Sequence, residues 1–194
     1  MTHKIQIDDT IYEANLDFRV AIECNRISED ETIGDYERIL GIICTMFGQH
    51  GLDNSEHYEK LFKWALNYLS FGIEVDSKEE PDMDFIEDEK YIKSSFKYDY
   101  QYNPYEKEFV SWEDFFNDLS NLSNSELGDC CVLNRVRNLR NYDTSKIKDQ
   151  KERQRVEEAK KRVALKKKKI QKEKKYSEEE LNNMEEFYKQ MERS

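Results

Sequence analysis

Apolar residues and charges divide this 194-residue chain at the same place, near residue 145. Residues 1–145 hold 37 of the 44 Leu, Ile, Val and Phe residues, whereas residues 146–194 hold only seven. A segment with so few large apolar side chains buries too little surface to offset the conformational entropy that folding removes. The division therefore predicts one globular domain over residues 1–145 and an appended segment that does not fold alone.

Charge supports the same boundary and adds a second one. Residues 1–145 carry 14 Lys and Arg against 31 Asp and Glu, whereas residues 146–175 carry 15 against 5. The last 19 residues are acidic again, with 2 basic residues against 6 acidic ones. We expect an acidic helical domain with an N-terminal hairpin (1–145), a basic helical or flexible arm (146–175) and a short amphipathic helix (176–194). An acidic domain repels phosphate, so nucleic acid is disfavoured as its partner, although the arm alone could contact it.

The spacing of apolar residues predicts mostly helices. Ile5, Ile7 and Ile11 alternate with polar residues around Asp8-Asp9, which predicts a short β-hairpin. Apolar residues then recur every three or four positions, as on the buried face of a helix, beginning with a helix from Asp17 to about Arg26. Capping boxes mark later helix starts: SEDE at 28–31, SWED at 111–114 and SNSE at 123–126. The predicted fold class is mainly α, a compact bundle of five or six helices with the N-terminal hairpin.

No pattern in the chain predicts catalysis. GxSxG, HExxH and Gly-rich phosphate loops do not occur. The twelve acidic-bordered residues 76–87 have the length of an EF-hand loop, but Lys78 and Pro81 stand where that loop needs an oxygen ligand and a glycine. We therefore predict a protein that is not an enzyme and that binds neither a metal nor another cofactor.

The cysteines predict a reducing compartment. Cys24, Cys44, Cys130 and Cys131 form no CxxC pair, so buried thiols are favoured over a zinc site. The N-terminal residues lack the apolar run of a signal peptide, and no segment approaches the roughly 18 apolar residues that cross a bilayer. We expect a soluble intracellular protein.

The stretch DEKYIKSSFKYDYQYN, residues 88–103, places five aromatic rings among charges. A buried ring contributes roughly 150–250 Å² of apolar area, so aromatic residues can replace scarce aliphatic ones in a core. Tyr98, Tyr100 and Tyr102 are spaced by two, which predicts that they leave the helix in an extended conformation and contact a partner. The residues predicted to form the core are Phe18, Tyr91, Ile92, Phe96, Trp112, Phe115, Leu119 and Leu122.

The arm and the C-terminal segment offer a second candidate contact. Val156, Val163 and Ile170 recur every seven residues, but Lys166 and Lys167 occupy the other seam position and disfavour a coiled coil. After a new capping box at 177–180, four apolar residues share one helical face, as in helices that bind in a groove. These candidate partner-binding residues, which could equally dock on their own domain, are Leu181, Met184, Tyr188 and Met191.

Four motifs follow one another along the chain: IQIDDTIYEANLDFRVAIE, DEKYIKSSFKYDYQYN, SWEDFFNDLSNL and LNRVRNLRNYD. In order and spacing they resemble the tail assembly chaperone-like family of long-tailed, siphovirus-type bacteriophages of Gram-positive hosts, encoded next to the tape-measure gene. Two departures are the polar QYNP after Tyr100, where members often carry an apolar run, and the single Trp112, where members often carry two tryptophans. The matching positions are Asp17, Phe18, Arg19, Asp88, Tyr91, Ile92, Ser95, Phe96, Tyr100, Trp112, Phe115, Leu119, Leu122 and Arg137.

The resemblance implies a non-enzymatic role in the host cytoplasm. Such a chaperone would coat the long helical tape-measure protein, help to recruit tail-tube subunits, and leave before the virion matures. It could act as a homo-oligomer or with a partner chaperone subunit. Two alternatives are a permanent structural tail or connector component of the virion, and a nucleic-acid-binding regulator that acts through the basic arm.

Overall fold

The computed structural model describes residues 2–71, 81–124 and 130–166, which fall into two compact units. The described part of the first unit is 2–71, and that of the second is 81–124 with 130–166. The mainly α class with an N-terminal hairpin is confirmed. None of the helices in these ranges is long and apolar enough to cross a membrane.

The described elements follow in chain order. The first unit contains β1 (Thr2–Ile7), β2 (Thr10–Asn15), α1 (Phe18–Ser28), α2 (Asp35–Phe47) and α3 (Tyr58–Leu69), with short 3₁₀ helices at Gln49–Leu52 and Ser55–His57. The second unit contains α4 (Glu89–Asp99), α5 (Trp112–Ser120), α6 (Val132–Asn141) and α7 (Gln150–Val163), with 3₁₀ helices at Pro104–Glu106 and Thr144–Lys146.

The predicted hairpin is present, with strands β1 and β2 antiparallel around the two-residue turn. Asp8 in that turn has a φ of 51°, the left-handed region that Asp tolerates better than most residues. Side chains alternate between the two faces of a strand, so Tyr12 and Ala14 are buried while Ile11 is 53% exposed. The hairpin therefore packs on the helices through one face and presents Ile11 on the other.

A cluster of polar groups ties the hairpin to the start of α3. The buried Tyr12 hydroxyl lies 2.7 Å from His57 Nδ1, and Asp8 Oδ2 lies 3.2 Å from His57 Nε2. His57 thus contacts the second strand through Tyr12 and the hairpin turn through Asp8, and its Nε2 also lies 3.2 Å from the side-chain amide nitrogen of Asn54. The turn and the second strand are thereby held at one point, and burial raises the pKa of Tyr12.

The core of the first unit lies where α2 packs against α1 and α3. Burial raises the pKa of the Cys24 thiol to about 12, so this thiol stays protonated at neutral pH. Cys131 in the second unit is also buried, whereas Cys44 and Cys130 are half-buried. The largest fully buried side chains of the first unit are Tyr12, Phe18, Ile42, Ile43, Met46 and Leu61.

The capping box predicted at SEDE is wrong. SEDE does not start a helix, because α1 continues to Ser28 and buries Ile27. Helix α2 begins after Gly34, whose N–H donates a hydrogen bond to the Glu37 carboxylate. In the SNSE region, residues 125–129 lie outside the described residues. A helix that SNSE opened and that ran on into α6 would include Cys130 and Cys131, but α6 begins only at Val132, after Cys131 as N-cap.

SWED is a confirmed helix start. Ser111 Oγ accepts a hydrogen bond from Asp114 N at 3.0 Å and donates one to the Asp114 carboxylate. The helix that follows, α5, packs its aromatic face on α4, with the Phe96 and Phe115 rings stacked 5.4 Å apart. Of the eight predicted core residues, Tyr91 is half-buried and the other seven are buried: Phe18, Ile92, Phe96, Trp112, Phe115, Leu119 and Leu122.

We expect Tyr12→Phe to lower the free energy of unfolding of the first unit by about 1–3 kcal/mol, because buried His57 loses a hydrogen-bond partner. Denaturation followed by Trp64 fluorescence, in a Trp112→Phe background, measures this unit alone. Tyr36→Phe is the matched control, since Tyr36 is a half-buried tyrosine of the same unit. Equal losses in the two variants would contradict the role assigned to the Tyr12 hydroxyl.

Candidate interaction surfaces

The most buried ion pair in the described residues joins Asp88 to Arg140. Both oxygens of the Asp88 carboxylate accept hydrogen bonds of 2.7 Å from the two terminal nitrogens of Arg140. Asp88 is fully buried, directly before α4, and the Arg140 side chain is 10% exposed, near the end of α6. Such a two-pronged pair fixes the direction of both side chains, and here it sets α6 against the start of α4.

The remaining donors of Arg140 hold two further segments. One terminal nitrogen also donates to Asp82 O at 2.7 Å, and Nε donates to Val163 O at 2.6 Å, at the end of α7. The hydrogen bonds with Asp88 raise the pKa of Arg140, and burial opposes this rise. Asp88 also accepts from Asp84 N at 3.1 Å. One guanidinium therefore connects a loop, two helices and the terminus of a third.

Two other buried polar side chains of the second unit, Ser95 and Asn134, make contacts that the sequence pattern did not predict. Ser95, fully buried on α4, accepts from Leu133 N at 2.9 Å, and the Asn134 amide donates to Leu122 O and Ser123 O. Ser95 and Asn134 lie on the buried faces of α4 and α6, where periodicity predicts apolar residues. A polar residue at a buried-face position is the one sequence signal that could have indicated these two contacts.

The structure separates the three tyrosines predicted as a contact surface. Tyr98 lies within α4 and is 65% exposed, whereas Tyr100 and Tyr102 are half-buried with their rings 5.7 Å from the Phe96 ring. The Tyr100 hydroxyl donates to Asp118 O at 2.8 Å, and the Tyr102 hydroxyl donates to the Asp118 carboxylate. Of the three, Tyr98 alone is an exposed contact candidate.

The predicted extended conformation of these tyrosines is wrong. The helix continues through Asp99, Tyr100 caps it, and Gln101 adopts a φ of 61°. This left-handed residue reverses the chain, which brings Tyr102 back against Phe96. Burial of both hydroxyl-bearing rings outweighs the freedom of an extended segment.

Large apolar side chains are nevertheless exposed on both units. In the second unit Ile86 is 51% exposed and Tyr98 65%. The second unit also has an open groove, lined by apolar and polar side chains of residues 102–114 that include one lysine and one aspartate. The residues that line the groove are Tyr102, Lys107, Phe109, Val110, Ser111 and Asp114, and the exposed apolar side chains of the first unit include Ile11 and Leu66.

Three other features considered from the sequence are Arg137, a metal site and the C-terminal apolar residues. Arg137 pairs with Asp82 at 3.1 Å on the second unit. No three His, Cys, Asp or Glu residues converge to hold a metal ion in the ranges 2–71, 81–124 and 130–166. The apolar residues predicted in the C-terminal segment lie outside the described residues: Leu181, Met184, Tyr188 and Met191.

Comparison with known families decides the class. The family model described as Bacteriophage Gp15 protein matches residues 1–165, which include both described units. The chain belongs to the Bacteriophage Gp15 protein family. It is thus a phage protein, as its motifs suggested, and the family match ends just beyond α7. Searches of curated proteins and of solved structures found no significant match.

In this Gp15 family protein, we expect Asp88→Asn to destabilise the second unit by about 3–5 kcal/mol, because Arg140 keeps a buried charge without its counter-ion. Denaturation followed by Trp112 fluorescence, in a Trp64→Phe background, measures the loss. Glu89→Gln, one position along the chain, is the control, since it removes a partly exposed pair with Lys93 and should cost less than about 1 kcal/mol. Similar values for the two variants would refute the assigned importance of the buried pair.

Alkaline pH should destabilise the second unit through Tyr102. Burial, and then the hydrogen bond with Asp118, raise the Tyr102 pKa above its ordinary value of 10.0. A raised pKa in the fold means that this stabilisation is complete below pH 10 and is lost as the pH rises toward the folded-state pKa. Between about pH 9 and pH 11 the Gp15 protein should lose more stability than its Tyr102→Phe variant, measured by urea denaturation. Equal losses in the two proteins would exclude Tyr102 as the titrating group.

Proposed function

We propose that this chain is a tail assembly chaperone of a long-tailed, siphovirus-type phage of a Gram-positive host, acting in the host cytoplasm. The observation that carries the proposal is membership of a bacteriophage family over both described units, together with the order of the four motifs. Its clients would be the tape-measure protein, whose gene would be adjacent, and the tail-tube protein. It would act without a cofactor and not as an enzyme, as a homo-oligomer or with a partner chaperone subunit.

The charge and the exposed apolar side chains are compatible with this role. An acidic surface keeps a complex with an aggregation-prone helical client dispersed, since net charge far from zero opposes association. Ile86 and Tyr98 offer apolar contacts on that surface without contributing to the buried core. The methionines at 184 and 191 would add an adaptable contact, because the thioether side chain fits irregular surfaces.

Tyr98→Ser should weaken recovery of the tape-measure or tail-tube protein in a pull-down by about tenfold, a loss typical of a contact that carries more than 1 kcal/mol. Tyr142→Ser is the matched control, because Tyr142 is also exposed, at 47%, and was not predicted as a contact. Deletion of residues 176–194 tests the C-terminal segment in the same assay. Unchanged recovery with both changes would contradict both proposed contacts, and no recovery by the intact chain would contradict the client assignment.

The alternative functions give different outcomes in two further measurements. A chaperone should be absent from purified virions, whereas a structural tail or connector component should be found there by mass spectrometry. Salt-sensitive retention on immobilised nucleic acid would instead favour a regulator that acts through the basic arm.

A further inference from the structure

Helix α7 is attached to the second unit without any fully buried side chain. Its half-buried residues, Val156, Ala159, Lys160 and Val163, share one face, and the rest of the helix is exposed. By contrast, α4 buries Ile92, Ser95 and Phe96 completely. Because burial of an apolar face supplies most of the stability of a helix in a protein, α7 is held much less firmly than α4.

Among the described residues, three polar contacts hold α7 and the residues just after it, and each contact involves a main-chain atom. Lys160 Nζ donates to Tyr142 O at 2.5 Å, near the end of α6. Arg140 Nε donates to Val163 O, which satisfies one of the carbonyl groups that a helix terminus leaves unpaired. Beyond the helix, Lys166 N donates to the Glu87 carboxylate at 3.2 Å. Two of the three contacts are therefore at the C-terminal end, where a cation such as Arg140 also complements the helix dipole.

The part of the second unit beneath α7 has its own support. The pair between Asp88 and Arg140, the bond from Leu133 N to Ser95 and the ring stacking of Phe96 on Phe115 involve no residue of α7. Loss of α7 would thus leave the contacts among α4, α5 and α6 intact. Elements with few buried contacts open locally at much lower free energy than the rest of a structure.

We infer that α7 is a detachable strap, which exchanges between a helix docked on α6 and an undocked state while α4, α5 and α6 stay folded. Undocking frees residues 150–166, whose fully extended length is at most roughly 55–60 Å. The docked and undocked states are a short and a long form of residues 150–166, and this inference does not depend on the identity of a client.

Hydrogen exchange of the full-length chain, read by mass spectrometry, tests the strap. Amides of 150–163 should exchange at least about tenfold faster than those of α4 and α6 after correction for intrinsic rates. Their exchange should also depend little on urea, because undocking exposes little surface, whereas α4 and α6 should show the strong urea dependence of global unfolding. Equal protection and equal urea dependence in all these helices would overturn the inference.

A pair of variants separates the contacts of the strap from a general loss of stability. Glu87→Ala with Lys160→Met should accelerate exchange in 150–163 by a further factor of about ten or more, with α4 and α6 unchanged. Lys161→Met is the control, because it makes the same replacement at an exposed neighbouring position and should alter neither. If the double variant accelerated hydrogen exchange equally in all the helices, α7 would be an integral part of the unit and the inference would fail. If Glu87 proves necessary for folding, Lys160→Met alone tests the same point.

Discussion

The second unit depends on the pair between Asp88 and Arg140. A buried carboxylate and a buried guanidinium lose their hydration, and this loss is tolerated only when geometry and further hydrogen bonds are good. Here the carboxylate accepts from both terminal nitrogens of Arg140 and from Asp84 N, while the guanidinium also donates to Asp82 O and Val163 O. Lysine could not replace this arginine, because a single ammonium group cannot reach the acceptors of Asp82, Asp88 and Val163 with the fixed planar geometry of a guanidinium.

The parts of the fold that were predictable from the sequence are local. The hairpin followed from alternation around Asp8-Asp9, and the start of α5 followed from a serine three residues before an acidic residue. SEDE carries the same local pattern, yet it lies at the end of α1, because burial of Ile27 extends that helix beyond the predicted stop. Local patterns thus indicate that a helix boundary is near, but they do not show whether it is the end of one helix or the start of the next.

The contacts that define the candidate surfaces were much less predictable. The acidic partner of Arg140 lies 52 positions earlier in the chain, and nothing local in the sequence indicates it. The tyrosines 98, 100 and 102 have one residue type and regular spacing, yet the chain reversal at the left-handed Gln101 leaves Tyr100 and Tyr102 half-buried against Phe96 and Tyr98 exposed. Membership of a bacteriophage family, in contrast, was recognisable from motif order, since order survives when individual contacts cannot be inferred.

The two half-buried tyrosines, Tyr100 and Tyr102, have a consequence for the precision of the aromatic core. Leu and Phe side chains are aligned by shape alone, because dispersion forces have little directionality. Tyr100 and Tyr102 end in hydroxyl groups that bond the main chain and the side chain of one residue, Asp118 on α5. Rotation of α5 about its axis, or a shift by one residue along it, would break both bonds at once. In the core of the second unit, buried aromatic area therefore supplies the stability. The two tyrosine hydroxyl groups add direction, because their bonds to Asp118 favour one rotation and one position of α5.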